Sequence, residues 1–190
     1  MKPNFTDVQA PIETERKGIL YVGRLSSEKG LDTLSAALDQ LPEVFVDVVG
    51  TGPDGAKLAS HPRVRMHGWQ EPGEVRRRMA AAEVLVMPSL CYETFALAAV
   101  EAFASGLPVL ASRLGSLAEL IKDGETGLLF DAGSPIALAN AMRWARSHPE
   151  DMRRIGHNAR TEYEKKYTPE RNYDLLMEIY ERALSQDARS

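Results

Sequence analysis

The chain has 190 residues, 44% of them hydrophobic and 26% charged, which is the balance of a soluble domain large enough to bury a core. Its net charge of −4 gives no electrostatic reason to expect nucleic acid as a partner. The single cysteine, Cys91, excludes an internal disulfide framework and favours a reducing compartment. No apolar run reaches the roughly 20 residues that a membrane-spanning helix needs, so we expect a cytoplasmic protein.

The first 130 residues show the rhythm of a parallel sheet with crossover helices. Residues 1–16 are polar, contain two prolines and are predicted to form an arm or linker. From Gly18 onward, short apolar runs alternate with helical patterns, which predicts βαβ units. The predicted strands are residues 18–22, 44–49, 64–66, 84–87, 108–111 and 127–130, and the predicted helices between them are residues 31–41, 55–59, 74–82, 95–105 and 117–122. The predicted fold is α/β: an open, doubly wound, Rossmann-like parallel sheet with helices on both faces.

After residue 130 the alternation stops and a helical extension follows. Residues 135–147, 149–167 and 169–184 each begin with a proline, a residue favoured in the first helical turn. We place a sheet domain at residues 17–168 and a C-terminal helix and tail at residues 169–190. The last helix is expected to pack either against the sheet domain or on a partner domain.

The candidate site lies in the segments that follow the strands, because ligands of open parallel sheets bind outside the carboxyl ends of the strands. Arg24 and Lys29 follow the first strand in a loop that opens a helix. Arginine can bind two oxygens of an anion at once and lysine adds a point charge, so the pair suits a diphosphate. A solvated loop in which Glu28 balances Lys29 is the alternative interpretation.

A second candidate is the helix predicted over residues 95–105, which is apolar on nearly every side and is therefore typical of a buried helix. It nevertheless contains Glu101, and a buried carboxylate is unfavourable unless it is hydrogen-bonded or paired. Glu93 lies just before the first turn, where free N–H groups can bind an anion. Eight residues of helix span about 12 Å, comparable to a nucleotide diphosphate sugar. Taken singly, Glu93 is also explained by the helix dipole and Glu101 by a structural ion pair.

Other motifs carry weaker signals. Residues 50–55 match the G-x-G-x-x-G pattern after a strand, with Glu71 about 20 residues on, so a dinucleotide-binding domain is a rival. The pattern follows the second strand and not the first, which counts against that rival. The four histidines show no metal-ligand spacing. The arginines at residues 76–78 and 153–154 predict solvated helix faces, with weak peripheral contact to anionic lipid as the alternative.

The stretch from Glu93 to Val109 closely resembles the E-x7-E signature of the retaining group 1 (GT4-like) glycosyltransferases with the GT-B fold. Residues 23–24 with 29–30, residues 50–53 and residues 124–130 resemble further motifs of that family in the same order, so the resemblance covers roughly residues 18 to 184. It implies two Rossmann-like domains that face each other across a cleft, of which the second holds a nucleotide-sugar donor.

The resemblance also assigns roles to individual residues. Arg24 and Lys29 would bind the diphosphate and stabilise the leaving group, Glu93 would bond hydroxyls of the donor sugar, and Glu101 would hold the ribose. The base would lie near residues 66–69. The catalytic set is Arg24, Lys29 and Glu93, and the donor-binding set is Gly23, Met66, Gly68, Thr94, Phe95, Ala96, Leu97 and Glu101. No cofactor or metal is expected, because side chains and a helix end would stabilise the leaving diphosphate.

Two positions depart from the family pattern, which usually has glycine at Ala96 and often a second glycine at Ser116. Enzymes of this family are also longer, so an acceptor domain is expected to precede residue 1, and the isolated chain is expected to be inactive alone. The predicted function is the donor-binding half of a retaining glycosyltransferase in polysaccharide or glycolipid biosynthesis, membrane-associated when full length. The alternatives are a non-catalytic nucleotide-binding module, which the two departures favour, and a dinucleotide-binding oxidoreductase domain.

Overall fold

The computed structural model describes Thr6, residues 16–92 and residues 96–187, with the backbone alone described at residue 183 and residues 185–187. Within these ranges six parallel strands form one sheet in the order β3-β2-β1-β4-β5-β6. The strands are β1 (Ile19–Val22), β2 (Val46–Val49), β3 (Val64–Gly68), β4 (Val84–Met87), β5 (Val109–Ser112) and β6 (Gly127–Phe130). The order reverses at β1 and β4, which is the switch point of a doubly wound sheet. The predicted α/β class is confirmed.

Eight helices are described: α1 (Leu31–Leu38), α2 (Gly55–Ala59), α3 (Pro72–Ala81), α4 (Leu97–Ala104), α5 (Gly115–Leu120), α6 (Pro135–Ser147), α7 (Pro149–Lys166) and α8 (Pro169–Asp187). One hydrophobic core lies between one face of the sheet and the helices α1, α2 and α6. A second core lies between the opposite face and the helices α3, α4, α5 and part of α7. The helical C-terminal extension that the sequence predicts is present.

The strand interiors are apolar because both faces of the sheet are covered. Every residue of β4 and β5 is buried, as expected for the central strands of a parallel sheet. β1 lies between β2 and β4, with Ile19 paired to Val46 on one side and Val84 on the other. The carboxyl ends of β1 and β4 are therefore adjacent, and the loops that follow them meet.

Several predicted boundaries were wrong by a few residues, with local reasons. The predicted start of β2 at Val44 is instead part of a turn, since the Val44 N–H donates to the Leu41 carbonyl. α1 ends at Leu38 and not at residue 41, because the N–H groups of Gln40 and Leu41 donate to the carbonyls of Ala37 and Leu38, three residues back instead of four. α3 begins at Pro72, two residues earlier than predicted, with proline in its first turn. β3 continues to Gly68, which pairs with Val49.

Candidate functional site

A cleft of about 470 Å³ opens at the switch point, between the loop after β1 and the start of α4. Its lining residues are Tyr21, Val22, Gly23, Arg24, Glu28, Lys29, Met87, Pro88, Ser89, Ala96, Leu97 and Ala98. Of the predicted site residues, the cleft brings together Gly23, Arg24, Lys29, Ala96 and Leu97. Two cations thus share a concave surface with the N-terminal end of a buried helix, an arrangement that favours an anionic ligand.

The loop that carries Arg24 and Lys29 is fixed by close backbone contacts with its neighbours. The N–H groups of Gly23 and Leu25 donate to the carbonyls of Val49 and Thr51, so the loop continues the pairing of β1 with β2. A Cβ atom at Gly50 would lie 1.9 Å from the Gly23 carbonyl oxygen, and one at Gly52 would lie 2.3 Å from that of Leu25. The glycines of the G-x-G-x-x-G pattern therefore allow two loops to touch.

The end of the same loop is held against the loop that follows β4. Residues Ser27–Lys29 form one turn of 3-10 helix that ends at Gly30 with φ of 71°. A Cβ atom at Gly30 would lie 1.8 Å from the Pro88 carbonyl oxygen, and the Leu90 N–H donates to the Glu28 carbonyl over 2.8 Å. Because both contacts involve backbone atoms, the position of the Lys29 turn depends on that of the β4 loop.

The Glu28 carboxylate also lines the cleft and experiences the charges of both cations. The Ser26 hydroxyl donates to the Glu28 carboxylate, and this bond, followed by the carboxylate's bond to its own backbone and the charges of Arg24 and Lys29, lowers the pKa of Glu28. Glu28 is therefore ionised at neutral pH and offsets part of the positive charge. The Arg24 and Lys29 side chains still leave the turn with a net positive charge for an incoming anion.

The far end of α4 is anchored by two arginines. Arg16 donates to the carbonyls of Ser105, Ala82 and Met79, and Arg160 donates to the Ala104 carbonyl. Cationic side chains at a helix C-terminus satisfy free carbonyls and complement the negative end of the helix dipole. The opposite end of α4, beginning at Ala96 and Leu97, faces the cleft.

Glu101 lies on α4 outside the lining of this cleft and faces α3. Burial raises the pKa of Glu101, and the charge of Arg76 on α3 offsets the rise only in part. Among the described residues, no side chain donates a hydrogen bond to its carboxylate. A half-buried carboxylate without a donor is unfavourable for the empty protein, and hydroxyl groups of a ligand would relieve that penalty.

The remaining predicted positions differ in what the structure shows of them. Glu93, Thr94 and Phe95 lie outside the described residues. The Met66 side chain packs against the core layer that contains α1 and α6, so it does not line the cleft. Gly68 ends β3 with φ of 66°, and its carbonyl accepts the Gly50 N–H over 2.8 Å, which ties the β3 loop to the loop beside Arg24.

The two departures from the family pattern have different surroundings. Ala96 is buried at the cleft with φ of −84°, a conformation that alanine adopts without strain. Ser116 lies in the first turn of α5, and its buried hydroxyl oxygen has no hydrogen-bond partner among the described residues. The same holds for the Ser112 hydroxyl at the end of β5, a residue that is 0% exposed.

We expect Ser112→Ala to leave the protein as stable as the wild type or to stabilise it by about 1 kcal/mol, because it removes a hydroxyl that folding desolvates without compensation. Ser134→Ala is the matched control. The Ser134 hydroxyl accepts the Ala137 N–H over 3.2 Å at the start of α6, so its loss should destabilise by about 1 kcal/mol. Urea unfolding measures the free energy of unfolding of both variants. A clear loss of stability in Ser112→Ala would contradict the conclusion that the Ser112 hydroxyl is buried without a compensating hydrogen bond.

Most arginines of the two predicted clusters form ion pairs with acidic residues on their own helices. Arg77 and Arg78 both pair with Glu74, while Arg153 pairs with Glu150 and Arg154 with Asp151. These pairs on the arginines' own helices support the interpretation as solvated faces. Across residues 16–92 and 96–187, no group of three or more histidine, cysteine, aspartate or glutamate side chains is placed to hold a metal, and no helix has the length and apolar character needed to cross a membrane.

Four further residues line the cleft outside the predicted site sets. Pro88 and Ser89 follow β4, in the segment that the strand-end rule places at the ligand edge, while Met87 ends β4 and Tyr21 lies within β1. Met87 and Tyr21 were missed, since the rule considers only residues that follow a strand. Tyr21 gives no such signal, because a tyrosine inside an apolar strand is indistinguishable from an ordinary core residue.

Comparison with known proteins identifies a family. The family model described as "Glycosyl transferases group 1" matches residues 4–162. The sulfoquinovosyl transferase SQD2 of Arabidopsis thaliana is 35% identical over 80% of this chain and 31% of its own length. The phosphatidyl-myo-inositol mannosyltransferase of Mycobacterium leprae is 35% identical over 66% of this chain and 36% of its own length.

A solved structure agrees in fold. The Anabaena protein Alr3699/HepE, in complex with UDP-glucose, superposes with a TM-score of 0.77 at 26% identity, covering 90% of this chain and 49% of the Anabaena chain. The present chain therefore spans about a third of the length of the two curated relatives and about half of the solved structure.

Proposed function

Because this chain belongs to the group 1 glycosyl transferases, we propose that it is the donor-binding half of a retaining glycosyltransferase that uses a nucleotide diphosphate sugar. The observation that carries the proposal is the cleft at the switch point, where Arg24 and Lys29 face the N-terminal end of α4. The solved relative is a complex with UDP-glucose, which supports a nucleotide-sugar donor here.

In the proposed mechanism the cleft binds the diphosphate and stabilises the negative charge that develops on it as the glycosidic bond breaks. Arg24 and Lys29 supply positive charge, and the N–H groups at the start of α4 supply oriented dipoles. Such preorganised groups stabilise a leaving anion without reorganising during the reaction. Glu93 would bond hydroxyls of the donor sugar and Glu101 the ribose hydroxyls. No metal is required in this scheme.

We propose that the acceptor binds to a second domain. On α8, the side chains of Tyr173, Met177, Tyr180 and Leu184 recur at spacings of four, three and four residues and are all exposed. That spacing places them on one helix face. An acceptor domain packed on this face would bury these apolar groups. The isolated chain should then bind donor nucleotides but transfer no sugar.

The finer proposals concern stereochemistry and pathway. We propose retention of configuration at the sugar carbon, and a role in polysaccharide or glycolipid assembly, which the name of the mannosyltransferase relative supports for the lipid class. Nuclear magnetic resonance of the first-formed product of the complete transferase tests the stereochemistry. An inverted anomeric centre would contradict the proposed mechanism.

Calorimetric titration of the purified chain with UDP, GDP and ADP tests the proposed function. We expect weak saturable binding of at least one nucleoside diphosphate, and weaker binding of the matching nucleoside, because the cleft cations contact only the phosphates. Absence of binding by all three would contradict the proposal. The same titration with NADH distinguishes the dinucleotide-binding rival, since only that function requires tight NADH binding.

Replacing Glu101 with glutamine is expected to raise the thermal stability of the empty protein and weaken nucleotide binding. Burial raises the pKa of Glu101 in the folded state. The carboxyl group therefore contributes most to stability at pH values below its unfolded-state pKa of about 4.3, where it is protonated. This contribution is lost as the pH rises through the folded-state pKa. The stabilisation by glutamine should therefore be present at pH 7 and vanish near pH 4. Melting curves across this range measure it.

Glu162→Gln is the control of opposite sign. Burial alone would raise the pKa of Glu162, but hydrogen bonds and charge from Lys166 and Lys122 lower it overall. Its contribution to stability is therefore present above the unfolded pKa and is lost as pH falls through the folded one. Glu162→Gln should destabilise the protein at pH 7. If both variants shifted stability in the same direction, the stated environment of Glu101 would be wrong.

A further inference from the structure

Tyr21 is a buried residue of β1 whose hydroxyl reaches the loop that carries the cleft cations. The residue is 3% exposed, and its O–H donates to the Arg24 carbonyl over 2.9 Å. A Cβ atom at Gly23 would lie 3.2 Å from the same hydroxyl oxygen. The tyrosine ring therefore lies directly beneath the backbone from which the Arg24 side chain extends, and it also lines the cleft.

The direction of the Arg24 carbonyl explains why a donor is placed there. The N–H groups of Gly23 and Leu25 both point towards β2 and donate to Val49 and Thr51. Since successive residues of an extended chain direct their backbone groups to opposite sides, the intervening Arg24 directs its carbonyl away from β2, where the hydroxyl of the cleft-lining Tyr21 meets it. A carbonyl oxygen carries partial negative charge, which is unfavourable beside a bound anion.

We propose that Tyr21 is a positioning residue of the diphosphate site, an inference that rests on the proposed function. Its hydroxyl caps the Arg24 carbonyl, which removes a competing negative dipole from the cleft and fixes the backbone that aims the guanidinium group. Tyr21 acts through Arg24 and has no direct role in the sugar-transfer step. The residue therefore sets phosphate affinity while leaving recognition of the nucleoside unchanged.

Tyr21→Phe tests the inference, because phenylalanine keeps the ring in the core and removes only the hydroxyl. We expect the affinity for UDP to fall about 3- to 10-fold, the range that corresponds to loss of one ordinary hydrogen bond. Affinity for uridine, measured by ligand-observed magnetic resonance at millimolar concentrations, should change less than about two-fold, as no bond to the nucleoside is lost. The UDP-to-uridine affinity ratio is the decisive quantity, since general loosening of the fold lowers both affinities together.

Tyr163→Phe is the matched control. Tyr163 is equally buried, at 3% exposure, and its hydroxyl donates to the Thr6 carbonyl over 2.5 Å, away from the cleft lining. It should lower the melting temperature without changing the affinity ratio. Two results would overturn the role of Tyr21 while the proposed function stands, provided that the wild type binds UDP. Either Tyr21→Phe binds UDP as tightly as the wild type, or its affinities for UDP and uridine fall by the same factor. If the wild type binds no nucleoside diphosphate, the role of Tyr21 and the proposed function are both contradicted.

Discussion

Replacing Arg24 with alanine is expected to weaken UDP binding by about 10- to 150-fold, the range that corresponds to loss of a charge-assisted hydrogen bond. Arg24 is exposed in the cleft, on a loop fixed by backbone contacts with residues 49–52. Because the loop backbone is held independently of the guanidinium group, alanine should remove the charge and leave the cleft shape intact. Calorimetry with UDP measures the loss, and uridine affinity should stay at the wild-type value.

Two further variants make this result interpretable. Arg24→Lys keeps the charge but cannot bind two phosphate oxygens in the planar manner of arginine, so we expect an intermediate affinity. Arg146→Ala removes an arginine that pairs with Glu43 over 2.9 Å and lies outside the cleft lining, and it should leave UDP binding unchanged. Equal losses of UDP and uridine affinity in Arg24→Ala would show that the variant damages the fold and would sink the assigned role.

Replacing Gly50 with alanine is expected to destabilise the protein by about 3 kcal/mol and to abolish or strongly weaken UDP binding. Gly50 has φ of 139°, where alanine is strained, and the added Cβ would lie 1.9 Å from the Gly23 carbonyl oxygen. The contacting atom belongs to the backbone and cannot rotate away. The clash must therefore be relieved by moving the loop that precedes Arg24, so stability and affinity should fall together.

Gly73→Ala is the control for this prediction. Apart from its chain neighbours and the backbone of its own helix, no atom of the described residues lies within 4 Å of the position that its Cβ would take. Its φ is not in the left-handed region, and it lies in the first turn of α3. Alanine is a better helix former than glycine by about 1 kcal/mol, so the variant should be at least as stable as the wild type. Chemical unfolding and UDP titration of both variants test the pair. Wild-type stability in Gly50→Ala would mean that the two loops do not touch as described.

The sheet was predictable because its strands are short, apolar and separated by helical patterns. β4 and β6 were predicted to the residue, since each lies between polar or glycine-containing segments. The errors occurred where a turn and a strand use the same residue types: Val44 fits either, and only its hydrogen bond to Leu41 decides. The start of α3 was predicted at Glu74, whereas Pro72 marks it in the structure.

The site was predictable to the extent that it depends on strand ends. Arg24 and Lys29 were expected at the carboxyl edge, and the structure brings them to one cleft with Ala96 and Leu97. Met66 is half-buried and packs against the core layer that contains α1 and α6, and its expected position near the base stays a prediction. The position of a residue along a strand predicts its distance from the carboxyl edge of the sheet. The face of the sheet on which its side chain lies depends in addition on the register of the strand with its neighbours.

The sequence by itself determined the α/β class, the parallel sheet, the family resemblance and the charged residues at the strand ends, because each of these depends on local composition and spacing. Only the tertiary structure decided which loops touch. The contacts of Gly50 with Gly23, Gly30 with Pro88, and Tyr21 with Arg24 join atoms of adjacent loops or of a strand and the loop above it. Such contacts depend on strand order and side-chain direction, which no local pattern of residues encodes.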